Sequence, residues 1–140
     1  MSDLAPKVGV GGILLDGSRV LLVRRGKEPG QGLWSIPGGE LNWGETLQEG
    51  VVREVREETG LVVQVESLAG ITEVRFPAED PNPQFHYVLI DFFCTLLSGD
   101  LACSDDAVEA AWFDLSQLDK LPTTEGLSEK LQRWIAARGI

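Results

Sequence analysis

The chain reads as an α/β protein, an α/β/α sandwich with a mixed β-sheet. Three observations carry this. Short apolar runs rich in valine, leucine and isoleucine stand on both sides of a charged segment of helical pattern, and a second amphipathic segment closes the chain. Glycine, proline and aspartate punctuate the runs as turns do. With 43% hydrophobic residues, 140 residues suffice for one complete core and fall short of two comfortable domains, so a single domain over 1–140 is expected.

Taken in order, Val8–Leu15 and Arg19–Arg25 are apolar runs separated by Asp16-Gly17-Ser18, the pattern of a β-hairpin. Residues 47–59 read as a helix: Thr46 with Glu49 makes a capping box at its start, and Gly60 stands where a helix-ending glycine belongs. Val62–Phe76 alternates well enough for a long strand, Pro77–Gln84 is a proline-rich loop, and Phe85–Leu97 is a second long strand. A short strand is expected at Ala110–Phe113, a helical turn at Ser116–Leu121, and a closing helix at Leu127–Ala137 that ends near Gly139.

The net charge of −10 argues against a binder of nucleic acid polymers, because no basic patch is available to release counterions. A small anionic substrate stays compatible if cations mediate its binding. No run of the sequence approaches the roughly 20 apolar residues that cross a bilayer, and the start lacks a basic, then apolar, leader pattern, so a cytoplasmic protein without membrane contact is expected. Cys94 and Cys103 lack metal-ligand spacing and read as ordinary reduced thiols.

The chemistry concentrates between Gly39 and Leu61. At about 100° per residue, Glu54, Glu57 and Glu58 fall within an arc of about 100°, and Val51, Val55 and Val52 line the arc beside it. Half-buried like charges repel and lose hydration, so something positive is needed among them, and a hard divalent cation such as Mg²⁺ or Mn²⁺ is the natural solution for oxygen ligands. Arg53 stands in i,i+4 register with Glu49 and Glu57, where it can orient a carboxylate. Glu45 can fold back toward the same place, and Gly38-Gly39 lets backbone come close to a metal or a phosphate. The competing reading, a solvated acidic helix face, does not account for glycines and an arginine at these offsets.

The spacing Gly39, Glu45, Arg53-Glu54-Val55, Glu57-Glu58, Gly60-Leu61 resembles the signature of the Nudix hydrolases at every defined position. Gly50 departs from the usual alanine, at a cost of about 1 kcal/mol in helix propensity and with no expected contact to the site. The resemblance implies the α/β/α Nudix fold and an enzyme that cleaves the pyrophosphate bond of a nucleoside diphosphate linked to a moiety X, using Mg²⁺ or Mn²⁺. It makes Glu54, Glu57 and Glu58 the helix ligands, the Gly39 or Gly38 carbonyl a further one, and Arg53 the orienting partner. For the general base it leaves Glu54 and Asp106 open, the latter in an acidic pair with Asp105 where family members supply an acid from a loop. Homodimers are common in the family, so the resemblance makes a homodimer a candidate assembly.

Around this centre, Arg24, Arg25 and Arg75 are candidates to meet phosphate, with exposed strand-end cations as the competing reading. Trp43 is a candidate to stack on a nucleobase, while Trp34 suits the core and His86 a structural hydrogen bond. The segments Pro29–Gly39, His86–Asp91 and Asp105–Trp112, with Pro77 set beyond Leu61, look like the short ADP-ribose pyrophosphatase-like members. ADP-ribose is therefore the first expected substrate, ahead of an oxidised or ordinary nucleoside triphosphate and a dinucleoside polyphosphate. A non-catalytic nucleotide-sensing module is the rival of another class. Such modules usually erode the glutamates, which this chain retains.

Overall fold

A computed structural model describes residues 4–102 and 107–138. The strands are β1 (Lys7–Asp16), β2 (Arg19–Arg25), β3 (Trp34–Ser35), β4 (Gly38–Glu40), β5 (Val62–Phe76), β6 (Phe85–Ser98) and β7 (Ala107–Asp114). The helices are α1 (Leu47–Thr59) and α2 (Leu127–Ala137), with a 3₁₀ turn at Leu115–Lys120 between β7 and α2.

The hairpin forms as the turn residues require: Gly17 takes φ 61°, and Leu15 and Asp16 pair antiparallel with Val20 and Arg19. The hairpin is short because β1 then pairs elsewhere. From Lys7 to Leu14 it runs parallel to β6 (Tyr87–Cys94), and from Gly9 to Gly11 it also pairs antiparallel with β4. One sheet results, in the order β3-β2-β1-β6-β5, with β4 joined to β1 and β7 to β2. It is mixed, as expected, because β1 and β6 are parallel and the other pairs antiparallel. Strand β1 is buried on both faces, which explains its nearly continuous apolar run.

Each face carries its own core. Val10, Leu14, Leu21, Phe92 and Cys94 pack with Val51 and Val55 of α1. Ile13, Leu22, Phe93 and Trp34 pack with Leu127, Leu131 and Trp134 of α2. Helix α1 lies close to β1 because Gly12 has no side chain: a Cβ there would stand 3.0 Å from Val55 and 3.3 Å from Val51. Trp34 is buried edge-on against Phe113, with ring centroids 4.8 Å apart, so its reading as a core residue holds. Among the described residues no helix is long and apolar enough to cross a membrane.

Two strands escaped the sequence reading. Strands β3 and β4 have two and three residues, too few to show a period. Strand β7 also extends beyond the expected Ala110–Phe113 at both ends, because its pairing with β2 continues from Ala107 to Asp114.

Candidate active site

Helix α1 starts and stops where its caps dictate. The Thr46 side chain accepts from Glu49 N–H at 3.1 Å, Thr46 N–H donates to Glu49 at 2.8 Å, and Gly60 ends the helix with φ 77°. These caps set the helix register and so bring Arg53, Glu54, Glu57 and Glu58 to the rim strand β4.

Arg53 is the hub. Its Nε donates to Glu45 Oε2 at 2.6 Å and its Nη2 to Glu45 Oε1 at 2.9 Å, a two-point contact that only a planar guanidinium can make. Its Nη1 donates to Glu54 Oε1 at 2.7 Å and meets the Glu57 oxygens at 3.3 and 3.4 Å, and Nη2 also reaches the Glu40 carbonyl at 3.0 Å. One cation thus ties α1 to the loop before it and to β4. The bond to Arg53, outweighing the desolvation that opposes it, holds the Glu45 carboxyl down at about 2.

The glycines act through close approach. A side chain at Gly39 would run into the Glu54 carboxylate, and Gly38 N–H donates to Glu58 Oε1 at 2.7 Å. Glu58 is buried, Glu54 nearly so, and Glu57 is the most exposed of the three. The donors are carboxylate oxygens beside backbone carbonyls, a chemistry that fits a hard divalent cation. Among the described residues, no three acidic, histidine or cysteine side chains converge into a formed cation cage, and Glu57 turns to Arg53 instead.

Gly50 corrects the sequence reading. It is buried, and a Cβ there would meet Leu41 at 2.7 Å, Val10 at 3.1 Å and Glu45 Oε1 at 3.2 Å. The methyl of an alanine at this position would therefore press on the loop and on the carboxylate that Arg53 holds, so the choice of glycine bears on the site.

The other candidates lie elsewhere. Arg24 pairs with Glu109 across β2 and β7 at 2.8 Å, and Arg25 donates to the Pro29 carbonyl at 2.6 Å, closing the loop before β3. Arg75 donates to the Ala78 carbonyl at 2.8 Å near the end of β5. Trp43 is fully exposed in the turn before α1, and His86 stands 3.7 Å from Glu73. Asp106, Asp105 and Cys103 fall outside the described residues. Cys94 is buried, and burial pushes its thiol up to about 12, consistent with an inert core residue. Sequence reasoning missed the contacts of Gly38 N–H and of the Glu40 carbonyl, since backbone groups leave no mark in residue type.

A family model of the NUDIX domain matches residues 5–135. The ADP-ribose pyrophosphatase of Methanocaldococcus jannaschii is 39% identical over 132 residues, covering 94% of this chain and 76% of that protein. The crystal structure of a MutT NUDIX hydrolase from Burkholderia pseudomallei superposes with a TM-score of 0.78 at 27% identity, covering 92% of this chain and 98% of that one. A MutT protein from Methanosarcina mazei shares the fold over 100% of both chains, with a TM-score of 0.83 at 23% identity. With the signature residues gathered on one helix and its rim strand, and the family model spanning nearly the whole chain, the protein belongs to the Nudix hydrolase family.

Proposed function

We propose that this Nudix hydrolase cleaves the pyrophosphate bond of a nucleoside diphosphate linked to a second moiety, with ADP-ribose the first candidate substrate and Mg²⁺ or Mn²⁺ the cofactor. The observation that carries the reading is the Arg53 hub, which holds Glu45, Glu54 and Glu57 around one guanidinium beside Gly38 and Gly39. The name of the Methanocaldococcus relative supports the substrate.

In this reading Glu54, Glu57 and Glu58, with the Gly39 carbonyl, hold the cation. When bound, the cation neutralises the diphosphate and lowers the pKa of a coordinated water. Arg53 keeps Glu54 in one orientation while its contact to Glu45 fixes the loop, so the carboxylates do not have to be ordered during the reaction. The contact of Glu54 with Arg53 and its closeness to Gly39 support a reading in which the Glu54 carboxylate takes the proton of the attacking water. Buried carboxylates repel the anionic substrate unless a cation intervenes, which is the physical reason for a metal requirement. Trp43, exposed ahead of α1, is the aromatic candidate to cover the nucleobase. Arg24, Arg25 and Arg75 are proposed to act only through long-range attraction, because each is engaged by a partner of its own.

The test is product identification across nucleoside diphosphate derivatives, nucleoside triphosphates and dinucleoside polyphosphates with Mg²⁺. AMP and ribose 5-phosphate from ADP-ribose support the reading. Turnover of triphosphates alone would replace it.

A further inference from the structure

The sheet ends in an open edge on the side away from the proposed catalytic rim. Strand β5 is the last in the order β3-β2-β1-β6-β5, and among the described residues it pairs with β6 alone. Gly39, beside which Glu54 stands, is in line with Val10 of β1, Ile90 of β6 and Ile71 of β5. Three strand spacings, about 15 Å, therefore separate that edge from the rim.

An edge strand offers unpaired N–H and C=O groups to any other strand, and natural sheets blunt such edges with bulges, prolines or short length. In β5 the irregularities are confined to the stretch between Val62 and Gly70. From Gly70 to Phe76, seven residues pair with β6 without a shift in register, and none of them is a proline. This part of the edge is unguarded. Its apolar side chains stand on both faces: Ile71, opposite Ile90 on the face that carries α1, is 60% exposed, and Phe76 on the other face is 57% exposed, with Val74 half-buried next to it. The charges of the segment are Glu73 and Arg75, both exposed and of opposite sign.

We propose that β5 pairs antiparallel with β5 of a second copy of this chain, about a two-fold axis at Val74, joining two sheets into one. Residues directly opposite in such a pair share a face of the sheet, so the axis must pass through a single residue. The charges choose which one. With the axis at Val74, Glu73 lies opposite Arg75 of the partner subunit and Arg75 opposite Glu73 of the partner subunit, while Thr72 covers Phe76 of the partner subunit. An axis at Glu73 or at Arg75 sets like charges directly opposite, which is unfavourable, and an axis nearer Gly70 carries the pairing into the bulges. Arg75 has five N–H groups, and its bond to the Ala78 carbonyl uses one nitrogen, so the guanidinium can also meet a carboxylate. The pattern reads the same from both sides of the axis. That symmetry is what a second copy supplies and a foreign strand does not.

The test is sedimentation equilibrium of the full chain at micromolar concentration, for wild type, Glu73→Arg, Arg75→Glu and an equimolar mixture of the two variants. Wild type is expected at twice the 15.3 kDa of the chain. Each variant alone sets like charges opposite at both positions and should have a dimer dissociation constant raised by about tenfold or more. The mixture restores both opposite-charge pairs and should recover the wild-type dimer. Both side chains are exposed, so the melting temperatures of the variants should stay near that of wild type. A wild-type monomer would overturn the proposal, as would variants that dimerise like wild type, which would place the contact elsewhere. A mixture no more dimeric than either variant alone would overturn the register. Association is read without turnover, so the proposed hydrolysis stands or falls separately.

Discussion

Arg53 grips Glu45 at two points, 2.6 and 2.9 Å, across the boundary between helix α1 and the loop that precedes it. The carboxylate titrates near 2 in the fold against 4.5 when unperturbed. A depressed acid contributes stability that is fully present above its unfolded pKa and is lost as pH falls through its folded one. The window is therefore between about 4.5 and 2. Glu45→Gln is predicted to flatten the fall of the melting temperature across that window. Identical slopes for variant and wild type would show that the contact carries no stability.

Arg53→Ala should lower kcat/KM by about 100-fold, the upper range for losing a residue that orients a metal ligand, and Arg53→Lys by less. Lysine keeps the charge and loses the planar fork that reaches Glu45 and Glu54 together. Steady-state kinetics decide the matter. Unchanged values in both variants would make Arg53 a structural cation only.

Gly60→Ala is predicted to cost about 1–2 kcal/mol, because φ 77° is left-handed and disfavours any side chain. A Cβ there would also stand 2.8 Å from the Asp100 carbonyl. Urea unfolding reads the loss, and kcat measured well below the melting point should stay near wild type. A variant as stable as wild type would contradict the cap argument.

The identity of the base separates two variants. If Glu54 both holds the cation and takes the proton, Glu54→Gln should cut kcat by about 100-fold or more and weaken Mg²⁺ binding together, while Asp106→Asn changes little. The rigid seat of Glu54 on Gly39 and Arg53 favours this assignment. Turnover against Mg²⁺ concentration distinguishes the cases. A large loss of kcat in Asp106→Asn with unaltered Mg²⁺ dependence would move the role to the loop.

What the sequence made legible follows from the range of the interactions. The α1 caps and its acidic arc are local, and they appear at the expected residues. The register of Arg53 with Glu57 was readable for the same reason, whereas the pairing of Arg24 with Glu109 requires knowing that β2 lies beside β7. Bulges in β5 at Val65/Ser67 and Leu68/Gly70 broke its alternation. The pair Asp91–Lys130 joins β6 to α2 over a long stretch of chain, and neither residue type at its own position signals a partner. Gly50 looked like a weak helix residue because its neighbours Leu41 and Glu45 come from the loop folded over it.

The most direct measurement follows the release of AMP and ribose 5-phosphate from ADP-ribose with Mg²⁺ and with a chelator, for wild type, Glu57→Gln and Glu58→Gln. The account predicts turnover by wild type only with the cation, and a loss of about 100-fold or more in both variants without loss of thermal stability. Near wild-type turnover by either variant, or by wild type in the chelator, would contradict it.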